Sequence, residues 1–542
     1  MHSTETDVLI IGAGAAGLAA ALAAHDGGAQ VVIIDKGDRL GGTAAISGGI
    51  VWIANNPQMK AAGLADSPAD ALAYFGSLNH GEMDPAVLEA FVHEGPVALA
   101  FLEQADALQL SILDGYPDYY LDRPGAKPGG GRALDNELFD FRELGEWAGK
   151  VFNDGMIQRM MLRETPLGGS SGFIGPAEMQ RRIDQDLRGF GQALIGRLLK
   201  ACLDRGIEPQ LNCKGSQLLK EDGRVCGAEF SQQGQTRTIR ARRGVILATG
   251  GFEWNEQLKA AFLRGPLTAP ASPPGNTGDG LKMAMTAGAG LGNMTSAWWV
   301  PTLPVGGASW NDGSQRSSPV LIERTLPHTI MVNRAGKRFC NEANNYSSLA
   351  GAFHAFDPAT YDYPNLPVFL IFDDQYRQRY PLGTVMPGAA LPDWIISADS
   401  LSALATKIGI DGDQLNRTVA EFNRHASIAE DPSFGRGESS YDRFYGDRSR
   451  SGAAATLGPL EAAPYYAVEL KMGALGTNGG ARTNASAQIL DVEDSPIPGL
   501  FGAGNVISCP TGSVYAGAGG TLGPALTFGY IAGRAAARLA NH

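Results

Sequence analysis

A glycine-rich turn near the start of the chain has the residue types and spacing of a dinucleotide-binding site. A β-rich run, residues 7–12, ends at Gly12. Gly14 and Gly17 follow it and open an alanine-rich segment that favours a helix. In this arrangement Gly12 makes a tight turn, Gly14 lets the backbone approach a pyrophosphate, and Gly17 permits close helix packing. Asp35 ends the next apolar run, about 20 residues further on, where a carboxylate would accept hydrogen bonds from ribose hydroxyls.

Three more stretches of small residues indicate which dinucleotide this is. GDRLGGTAAISGG (37–49) supplies glycines and hydroxyls, and ATGGFE (248–253) and GAGN (502–505) are turns that let the backbone come close to a ligand. Together with the first turn they resemble the fumarate reductase/succinate dehydrogenase flavoprotein superfamily, which implies FAD. The expected FAD contacts are Gly12, Ala13, Gly14, Ala15, Ala16, Gly17, Asp35, Lys36, Gly41, Gly42, Thr43, Ser47, Gly48, Gly49, Ala248, Thr249, Gly250, Gly504, Asn505, Gly520, Thr521 and Leu522.

The FAD is expected to be held without a covalent bond. Members of the superfamily that attach their flavin covalently use a His or Cys close to the first glycine motifs. Here Ala44, Ala45 and Ile46 occupy that stretch. No metal site is expected.

Within the superfamily, three segments resemble the 3-ketosteroid Δ1-dehydrogenases. They are GYPDYY (115–120), GKRFCNEANNY (336–346) and YAGAGGTLGPALTFGYIAG (515–533), and AWWVP (297–301) is a further point of similarity. The resemblance covers essentially the whole chain. It implies removal of hydrogen from carbons 1 and 2 of a 3-ketosteroid, with hydride passing from carbon 1 to flavin N5.

The resemblance also distributes the chemistry over named residues. Tyr346 is implied to be the general base at carbon 2, Tyr119 its hydrogen-bonded helper, and Tyr515 with the Gly519 amide the clamp on the ketone oxygen. The chemistry is reasonable, because a proton next to a ketone leaves only when the developing enolate is stabilised. A tyrosine normally titrates near pH 10, so a tyrosine base needs a neighbour that stabilises its phenolate. Tyr120 stays open as an alternative to Tyr119, since adjacent tyrosines invite an error of register.

Other functions share most of these parts. A dehydrogenase of a simpler cyclic ketone, or of the steroid 4,5 bond, would keep the same motifs. A fumarate-type reductase would need cationic clamps and an arginine proton donor, and Thr477 stands where a histidine is expected in that class. A flavin carrier or sensor without catalysis would have no use for a large inserted lobe.

The order of the motifs predicts an α/β fold with a discontinuous, Rossmann-like FAD-binding domain. We expect its first part in residues 1–293 and its last part in residues 467–542, because glycine-rich signatures return there. An α+β catalytic domain would occupy residues 294–466. The Gly/Pro-rich stretch 121–137 is a candidate for a mobile flap, and residues 306–327 form a polar insert before Tyr346.

Composition excludes some partners. The formal net charge is −12 and there is no basic stripe, so nucleic acid is not expected to bind. Five scattered cysteines form no CxxC pair, which favours a reducing, cytoplasmic location. The apolar run 8–24 follows acidic residues and contains glycines, so we expect neither a signal peptide nor a transmembrane segment there. Peripheral membrane contact and the identity of the electron acceptor stay open.

Overall fold

The structure is a computed structural model that describes residues 3–541. In this part of the chain the strands are β1 (Ser3–Ile11), β2 (Val31–Ile34), β3 (Val51–Trp52), β4 (Leu110–Asp114), β5 (Gly130–Asn136), β6 (Phe139–Asp140), β7 (Leu187–Arg188), β8 (Cys213–Glu221), β9 (Arg224–Gln232), β10 (Gln235–Leu247), β11 (Leu291–Gly292), β12 (Ala297–Ser309), β13 (Gln315–Pro319), β14 (Thr329–Val332), β15 (Val368–Asp373), β16 (Ile396–Ala398), β17 (Tyr465–Thr477), β18 (Gly480–Ala481), β19 (Gln488–Leu490) and β20 (Pro496–Gly502).

The α-helices of the same residues are α1 (Ala15–Asp26), α2 (Gly42–Ile46), α3 (Pro57–Ala61), α4 (Pro68–Leu78), α5 (Pro85–Gln104), α6 (Pro176–Asp184), α7 (Phe190–Leu203), α8 (Glu256–Phe262), α9 (Asp279–Thr286), α10 (Leu349–Phe353), α11 (Asp374–Arg379), α12 (Leu401–Ile408), α13 (Gly412–Ala426), α14 (Ser440–Phe444) and α15 (Leu522–Ala537). Short 3₁₀ helices are Phe141–Lys150, Leu162–Glu164, Pro166–Gly168, Gly452–Ala455 and Gly504–Val506.

The chain divides into two compact units. The second unit consists of Arg264–Ala271 and Trp299–Leu475, and all other described residues belong to the first. The first unit is therefore discontinuous, with its last portion supplied by the end of the chain. The second unit begins with the short segment 264–271, which no sequence motif marks.

A seven-stranded sheet forms the centre of the first unit. Its main path runs β19, β20, β10, β1, β2, and β8 and β9 extend it from β10. β1 pairs in parallel with β2 and β10, and β10 pairs in parallel with β20. Val8, Leu9 and Ile10 of β1 have no exposed surface, as expected for a parallel strand covered on both faces. The predicted α/β fold is confirmed.

Two alanine- and glycine-rich helices pack together beside this sheet. A Cβ atom at Gly529 or Gly533 of α15 would collide with the carbonyl oxygens of Ala16 and Ala20 of α1. Glycine at these two positions therefore lets the helix axes come close. Because α15 and α1 are almost wholly buried, the end of the chain is part of the core that supports the first glycine turn.

The second half of the stretch predicted as a flap, residues 121–137, is a buried strand, and residues 121–129 before it form turns. Residues 130–136 form β5, the middle strand of a three-stranded sheet, and every residue in it is buried. Its charged residues are paired, since Arg132 bonds to Asp66 and Asp118. Burial raises the pKa of Asp135 to about 6, against a hydrogen bond from the Arg163 amide. Residues 130–136 of the predicted flap are thus held by ion pairs, while mobility of residues 121–129 stays a prediction.

The second unit is built on a six-stranded sheet. Its path runs β13, β12, β17, β15, β14, with β16 beside β17. Ile330 and Ile371 of this sheet pack in one apolar core with Leu404 of α12 and Leu415 of α13. The polar insert 306–327 contains the last residues of β12 and all of β13, which pair antiparallel and have an exposed tip.

Among the described residues, one helix is long and apolar enough to cross a membrane by length and composition. This helix is α5, which has 20 residues and contains Pro96. It is part of the first unit's core, where its Phe101 ring packs against Tyr530 of α15 at 5.1 Å between centroids. Its Glu94 also bonds to Arg534 of α15 at 2.8 Å. The apolar run 8–24 forms the last part of β1, the turn and most of α1.

Candidate functional site

The three glycines of the first turn are required for different reasons. Gly12 has a φ of 113°, and a Cβ there would lie 2.6 Å from the Ala248 carbonyl carbon. A Cβ at Gly17 would collide with the Gly12 carbonyl oxygen. A Cβ at Gly14, however, would have no heavy atom of the protein within 4 Å, and its φ of −83° suits any residue. Gly14 stands at the N-terminus of α1, so its glycine fits the approach of a phosphate group rather than packing within the protein.

Acidic and basic groups close to this turn already have partners. The Asp35 carboxylate accepts hydrogen bonds from the amides of Ala13 and Gly37, both at 2.8 Å. Lys36 pairs with Asp279 at 2.5 Å and also donates to Thr277. Asp35 thus braces the turn, and its ribose contact stays a prediction, while the Lys36 ammonium is bound to α9.

The second glycine stretch folds against the first turn. The Gly41 amide donates to the Ala13 carbonyl at 3.0 Å, and α2 begins at the next residue. Ser47 is used within its own turn, since its hydroxyl donates to Ala44 and accepts from the Gly49 amide. Gly48 and Gly49 leave no space for a side chain, because a Cβ at Gly48 would lie 2.8 Å from Leu162.

A buried carboxylate that the sequence did not single out lies under the 248–253 turn. Glu253 has no exposed surface, and it accepts hydrogen bonds from Ser272 at 2.7 Å and from Asn276 at 2.6 Å. Burial raises the pKa of the Glu253 carboxyl. Asn276 also donates to Thr43 at 2.9 Å, so one amide joins two of the predicted cofactor segments.

The remaining residues of the predicted cofactor segments lie in turns of the same unit. The Ala248 amide extends the β1 pairing by donating to Ile11 at 2.8 Å. Gly250 has a φ of 75° and faces Asn276. Thr249 is against Gly280 of α9, and its buried hydroxyl has no hydrogen-bond partner among the described residues.

The last cofactor segments border the start of α15. Gly504 has a φ of 74°, and a Cβ there would lie 3.2 Å from Ala16 of α1. Asn505 accepts a hydrogen bond from the Trp298 indole at 3.3 Å. The Gly520 amide donates to Gly517, and Thr521 precedes the first residue of α15, Leu522.

Two of the predicted catalytic tyrosines form a buried aromatic cluster in the first unit. Tyr119 and Tyr515 stack with their centroids 5.5 Å apart and their planes 13° from parallel. Trp298 meets Tyr515 edge-on at 5.1 Å. The hydroxyls of Tyr116 and Tyr119 are 3.5 Å apart. Tyr120 is only partly buried, whereas Tyr119 is 4% exposed and stacks on Tyr515.

Tyr74 joins the two segments that carry the stacked tyrosines. Its hydroxyl donates to the Ala516 carbonyl at 2.9 Å and accepts from the Tyr120 amide at 3.1 Å. The Tyr119 amide donates to the same carbonyl at 3.0 Å. Tyr74 lies on α4, which starts at a Ser67 cap followed by proline, a common helix-starting pair. Sequence reasoning missed Tyr74, because its partners lie far along the chain.

Asp118 is a second anchor for the segments that carry Tyr119 and Tyr515. Its carboxylate accepts from the Trp52 indole at 2.9 Å, from Arg132 at 2.8 Å and from the Lys127 amide at 2.9 Å. Burial raises the pKa of Asp118, and the charge of Arg132 opposes that rise. The Trp52 amide donates to the Gly519 carbonyl at 3.2 Å, so this network reaches the predicted oxyanion loop.

Gly519 can only be glycine in this fold. Its φ is 93°, and a Cβ would lie 2.6 Å from both the Ile50 carbonyl oxygen and the Trp52 amide nitrogen. A side chain at this position would push the loop off β3. The first unit thus brings together Tyr119, Tyr515 and Gly519.

Tyr346 belongs to the second unit, where a buried charge network holds the chain before it. Glu342 has no exposed surface and pairs with Arg338 at 2.7 Å and with Arg436 at 3.2 Å. Arg324 donates to the carbonyls of Glu342 and Asn344. Tyr346 itself is 5% exposed. Glu342 therefore fixes the loop that leads to Tyr346.

Thr477 stands where a fumarate-type reductase is expected to have a histidine, and it is buried in the first unit. Its hydroxyl accepts a hydrogen bond from the Phe252 amide at 3.1 Å, and its amide faces Glu253 at 3.3 Å. This side chain supports the 248–253 turn.

Comparisons with known proteins agree with this geometry. A family model described as FAD binding domain matches residues 7–522. A 4-oxocyclohexanecarboxylate 2-dehydrogenase of Sinomonas cyclohexanicum is 38% identical over 535 residues, covering 97% of this chain and 92% of that protein. A 3-oxosteroid 1-dehydrogenase of Mycobacterium tuberculosis is 37% identical over 564 residues, covering 98% of each. The crystal structure of 3-ketosteroid Δ1-dehydrogenase from Sterolibacterium denitrificans in complex with 1,4-androstadiene-3,17-dione has a TM-score of 0.90 and 35% identity, covering 99% of this chain and 100% of that chain.

The parallel sheet, the glycine turn and the family match define an FAD-binding flavoprotein. Full-length similarity at this level of identity narrows the class further. The chain belongs to the family of 3-ketosteroid Δ1-dehydrogenases and is an FAD-dependent oxidoreductase of the kind that acts on CH–CH groups.

The contrast between Gly14 and Gly17 gives a direct test of the cofactor turn. Gly14→Val should give folded protein without FAD, since the new side chain meets no protein atom but blocks the pyrophosphate. Gly17→Val is the matched comparison and should fail to fold, because its side chain collides with Gly12. Flavin absorbance per protein and circular dichroism measure the two effects. A Gly14→Val protein that keeps its yellow colour would contradict the assignment.

Proposed function

We propose that the protein dehydrogenates a 3-ketosteroid between carbons 1 and 2. The observation that carries this proposal is the buried stack of Tyr119 on Tyr515, next to a loop in which position 519 admits only glycine. It is supported by full-length similarity to a 3-oxosteroid 1-dehydrogenase and to a structure bound to a steroid dienone. FAD, when bound, takes the hydride from carbon 1 at flavin N5.

The protein residues supply the acid–base part of the reaction. Tyr346 acts as its phenolate, which takes the proton from carbon 2 and becomes a neutral phenol. Tyr119 donates a hydrogen bond that stabilises the phenolate before this transfer. Tyr515 and the Gly519 amide donate to the ketone oxygen, where negative charge develops as the proton leaves. Trp298 packs edge-on against Tyr515, which stacks on Tyr119, and such an apolar aromatic cluster beside the ketone clamp would suit a fused-ring substrate.

The cofactor residues are proposed from the same structure. The free approach at Gly14 and the N-terminus of α1 fit the pyrophosphate of FAD. Asp35 would accept hydrogen bonds from the ribose of the adenosine half of FAD. Lys36 would contact the same half of the cofactor. The segments 41–49, 248–250, 504–505 and 520–522 would contact the rest of the cofactor, with Thr43 and Asn505 as polar side chains.

FAD is proposed to be bound non-covalently. Ala44, Ala45 and Ile46 lie in or beside α2, where covalent members carry a His or Cys. Cys509 is also in the first unit, but burial raises the pKa of its thiol to about 11, which keeps it protonated. Precipitation of the protein with acid should therefore release all of the flavin into the supernatant. Flavin that stays in the pellet would show covalent attachment.

A cytoplasmic location is proposed on the strength of the cysteines. The five cysteines, all within the described residues, are free thiols, as expected in a reducing compartment. Peripheral contact with a membrane would suit a steroid substrate. The electron acceptor is proposed to be other than NAD, because the sequence has one dinucleotide fingerprint, which FAD occupies.

A second candidate substrate is a small cyclic ketone. The 4-oxocyclohexanecarboxylate dehydrogenase is as similar to this chain as the steroid enzyme is. Both reactions place a ketone beside the bond that loses hydrogen, so the same tyrosines would serve. A fumarate-type activity is disfavoured, because Thr477 stands in place of the expected histidine and is committed to the Phe252 amide.

An anaerobic titration separates the two substrates. A 3-keto-4-ene steroid should bleach the flavin, and the product should gain a double bond between carbons 1 and 2. The matched titration uses 4-oxocyclohexanecarboxylate. If only the small ketone bleaches the flavin, the reaction class holds and the steroid assignment is wrong. Fumarate added to reduced enzyme should leave the flavin reduced.

Substitutions of the tyrosines should harm different quantities. Tyr346→Phe removes the base, so flavin reduction should slow by more than the roughly 10²–10⁴ of an assisting group. Tyr515→Phe leaves the Gly519 amide as the remaining donor to the ketone oxygen, so the rate of flavin reduction should fall by about 10²–10³-fold. Tyr119→Phe should shift the pH profile upward, because the pKa of Tyr346 rises when its phenolate loses a hydrogen bond. Rapid-mixing measurement of flavin reduction across pH tests all three.

Tyr120→Phe is the matched control for this series. Tyr120 is adjacent in sequence but only partly buried, and it contributes its backbone amide to Tyr74. Its loss should leave the pH profile unchanged. Near-parental flavin reduction in Tyr346→Phe would place the base elsewhere, and a large loss in Tyr120→Phe would identify the replacement.

A further inference from the structure

A pocket in the first unit lies at the start of α15, beside the cofactor segments. It is lined by Trp298, Asn478, Gly504, Asn505, Ile507, Cys509, Pro510, Thr521, Pro524 and Ala525. α15 has 16 residues, and no side chain caps its N-terminus. The positive end of the helix dipole therefore faces this pocket.

Asn478 has an unusual environment in this pocket. Its side chain is buried, with 1% of the residue exposed, yet neither Nδ2 nor Oδ1 has a hydrogen-bond partner among the described residues. Only its backbone is engaged, since the carbonyl accepts from the Cys509 amide at 3.0 Å. A buried amide without partners costs free energy, so native proteins rarely keep one unless a ligand or water satisfies it.

Asn56 shows what a structural asparagine looks like in the same unit. It is equally buried, at 1% exposed. Its Nδ2 donates to the carbonyls of Ile53 and Gly131, and its Oδ1 accepts from the Met59 amide. Asn56 is thus satisfied within the protein, whereas Asn478 is not.

The position of the pocket indicates which half of FAD it serves. Gly504 lines the pocket and also faces Ala16 in the first turn of α1, so the pocket adjoins the pyrophosphate turn. Asp35, which is expected at the adenosine ribose, does not line it. The pocket thus adjoins the pyrophosphate turn and is separate from the expected ribose contact, as a site for the flavin half would be.

We propose that the Asn478 carboxamide binds the imide edge of the flavin ring and positions it. That edge presents an N–H donor between two carbonyl acceptors, and a carboxamide offers the matching acceptor and donor. A phosphate would satisfy only the donor. The inference rests on FAD as the cofactor, which the family match supports, and is independent of the steroid assignment.

The proposal has a consequence for electron transfer. Reduced flavin carries additional negative charge on its pyrimidine ring, so a donor at a ring carbonyl stabilises the reduced form more than the oxidised form. Asn478 should therefore raise the midpoint potential of the bound flavin. A residue with a purely structural role would not have this effect.

The experiment compares Asn478→Ala with Asn56→Ala as the matched control. Thermal unfolding of the apoproteins, FAD affinity by fluorescence titration, and the flavin midpoint potential are measured for both. Asn478→Ala should keep the stability of the parent apoprotein, bind FAD roughly 10- to 100-fold more weakly, and have a more negative potential. Asn56→Ala should lose apoprotein stability and keep FAD affinity.

Asn478→Asp is a second variant that preserves shape. It removes the donor and adds an acceptor with negative charge, so its potential should be more negative than that of Asn478→Ala. Unchanged FAD affinity in Asn478→Ala would overturn the proposal. A weaker affinity with an unchanged potential would overturn it as well, because the amide would then contact another part of FAD. Failure of the steroid titration would leave all these results unaffected.

Discussion

The candidate site depends on one buried carboxylate. Asp118 connects the indole of Trp52, the guanidinium of Arg132 and the amide of Lys127, and all of these groups are withdrawn from water or nearly so. Through Trp52 the same network holds the Gly519 carbonyl, and through the chain it holds Tyr119. Loss of Asp118 would leave Arg132 paired with Asp66 alone and would leave the Trp52 indole and the Lys127 amide without their acceptor. The aromatic stack therefore has a rigid support that is electrostatic rather than apolar.

Sequence patterns predicted the parts of this molecule that depend on local spacing. The turn at residues 12–17 was identified because its glycines must follow a strand and open a helix, and β1 and α1 do flank it. β5 was missed, because Arg132 and Asp135 in a glycine-rich stretch look solvated until Asp118 and Arg163 are known to face them. Partners that lie far along the chain, such as Asp279 for Lys36, cannot be inferred from periodicity. Tyr74 was missed for the same reason.

A glycine can be required by the packing of the protein itself or by the approach of a ligand, and the structure distinguishes these two causes. The turn pattern gives Gly12, Gly14 and Gly17 different roles, and in the structure neighbouring backbone requires glycine at Gly12 and Gly17 but not at Gly14. The same reasoning distinguishes Asn56 from Asn478, since one amide is satisfied by the protein and the other is not. Gly14 and Asn478 are not required by contacts within the protein, and Asn478 lowers stability by leaving a buried amide without partners among the described residues. Both residues therefore indicate where the ligand binds.

The packing of α15 on α1 has a consequence for biosynthesis. These helices share a glycine-mediated contact, although Ala15 and Leu522 are separated by almost the entire chain. At about 5–20 residues per second, a ribosome needs roughly half a minute or more to make the residues between them. During that time α1 has an uncovered apolar surface, and β10 lacks its neighbour β20. The nascent first unit thus keeps this apolar surface uncovered, and its cofactor fold can close only after residues 522–537 have been made.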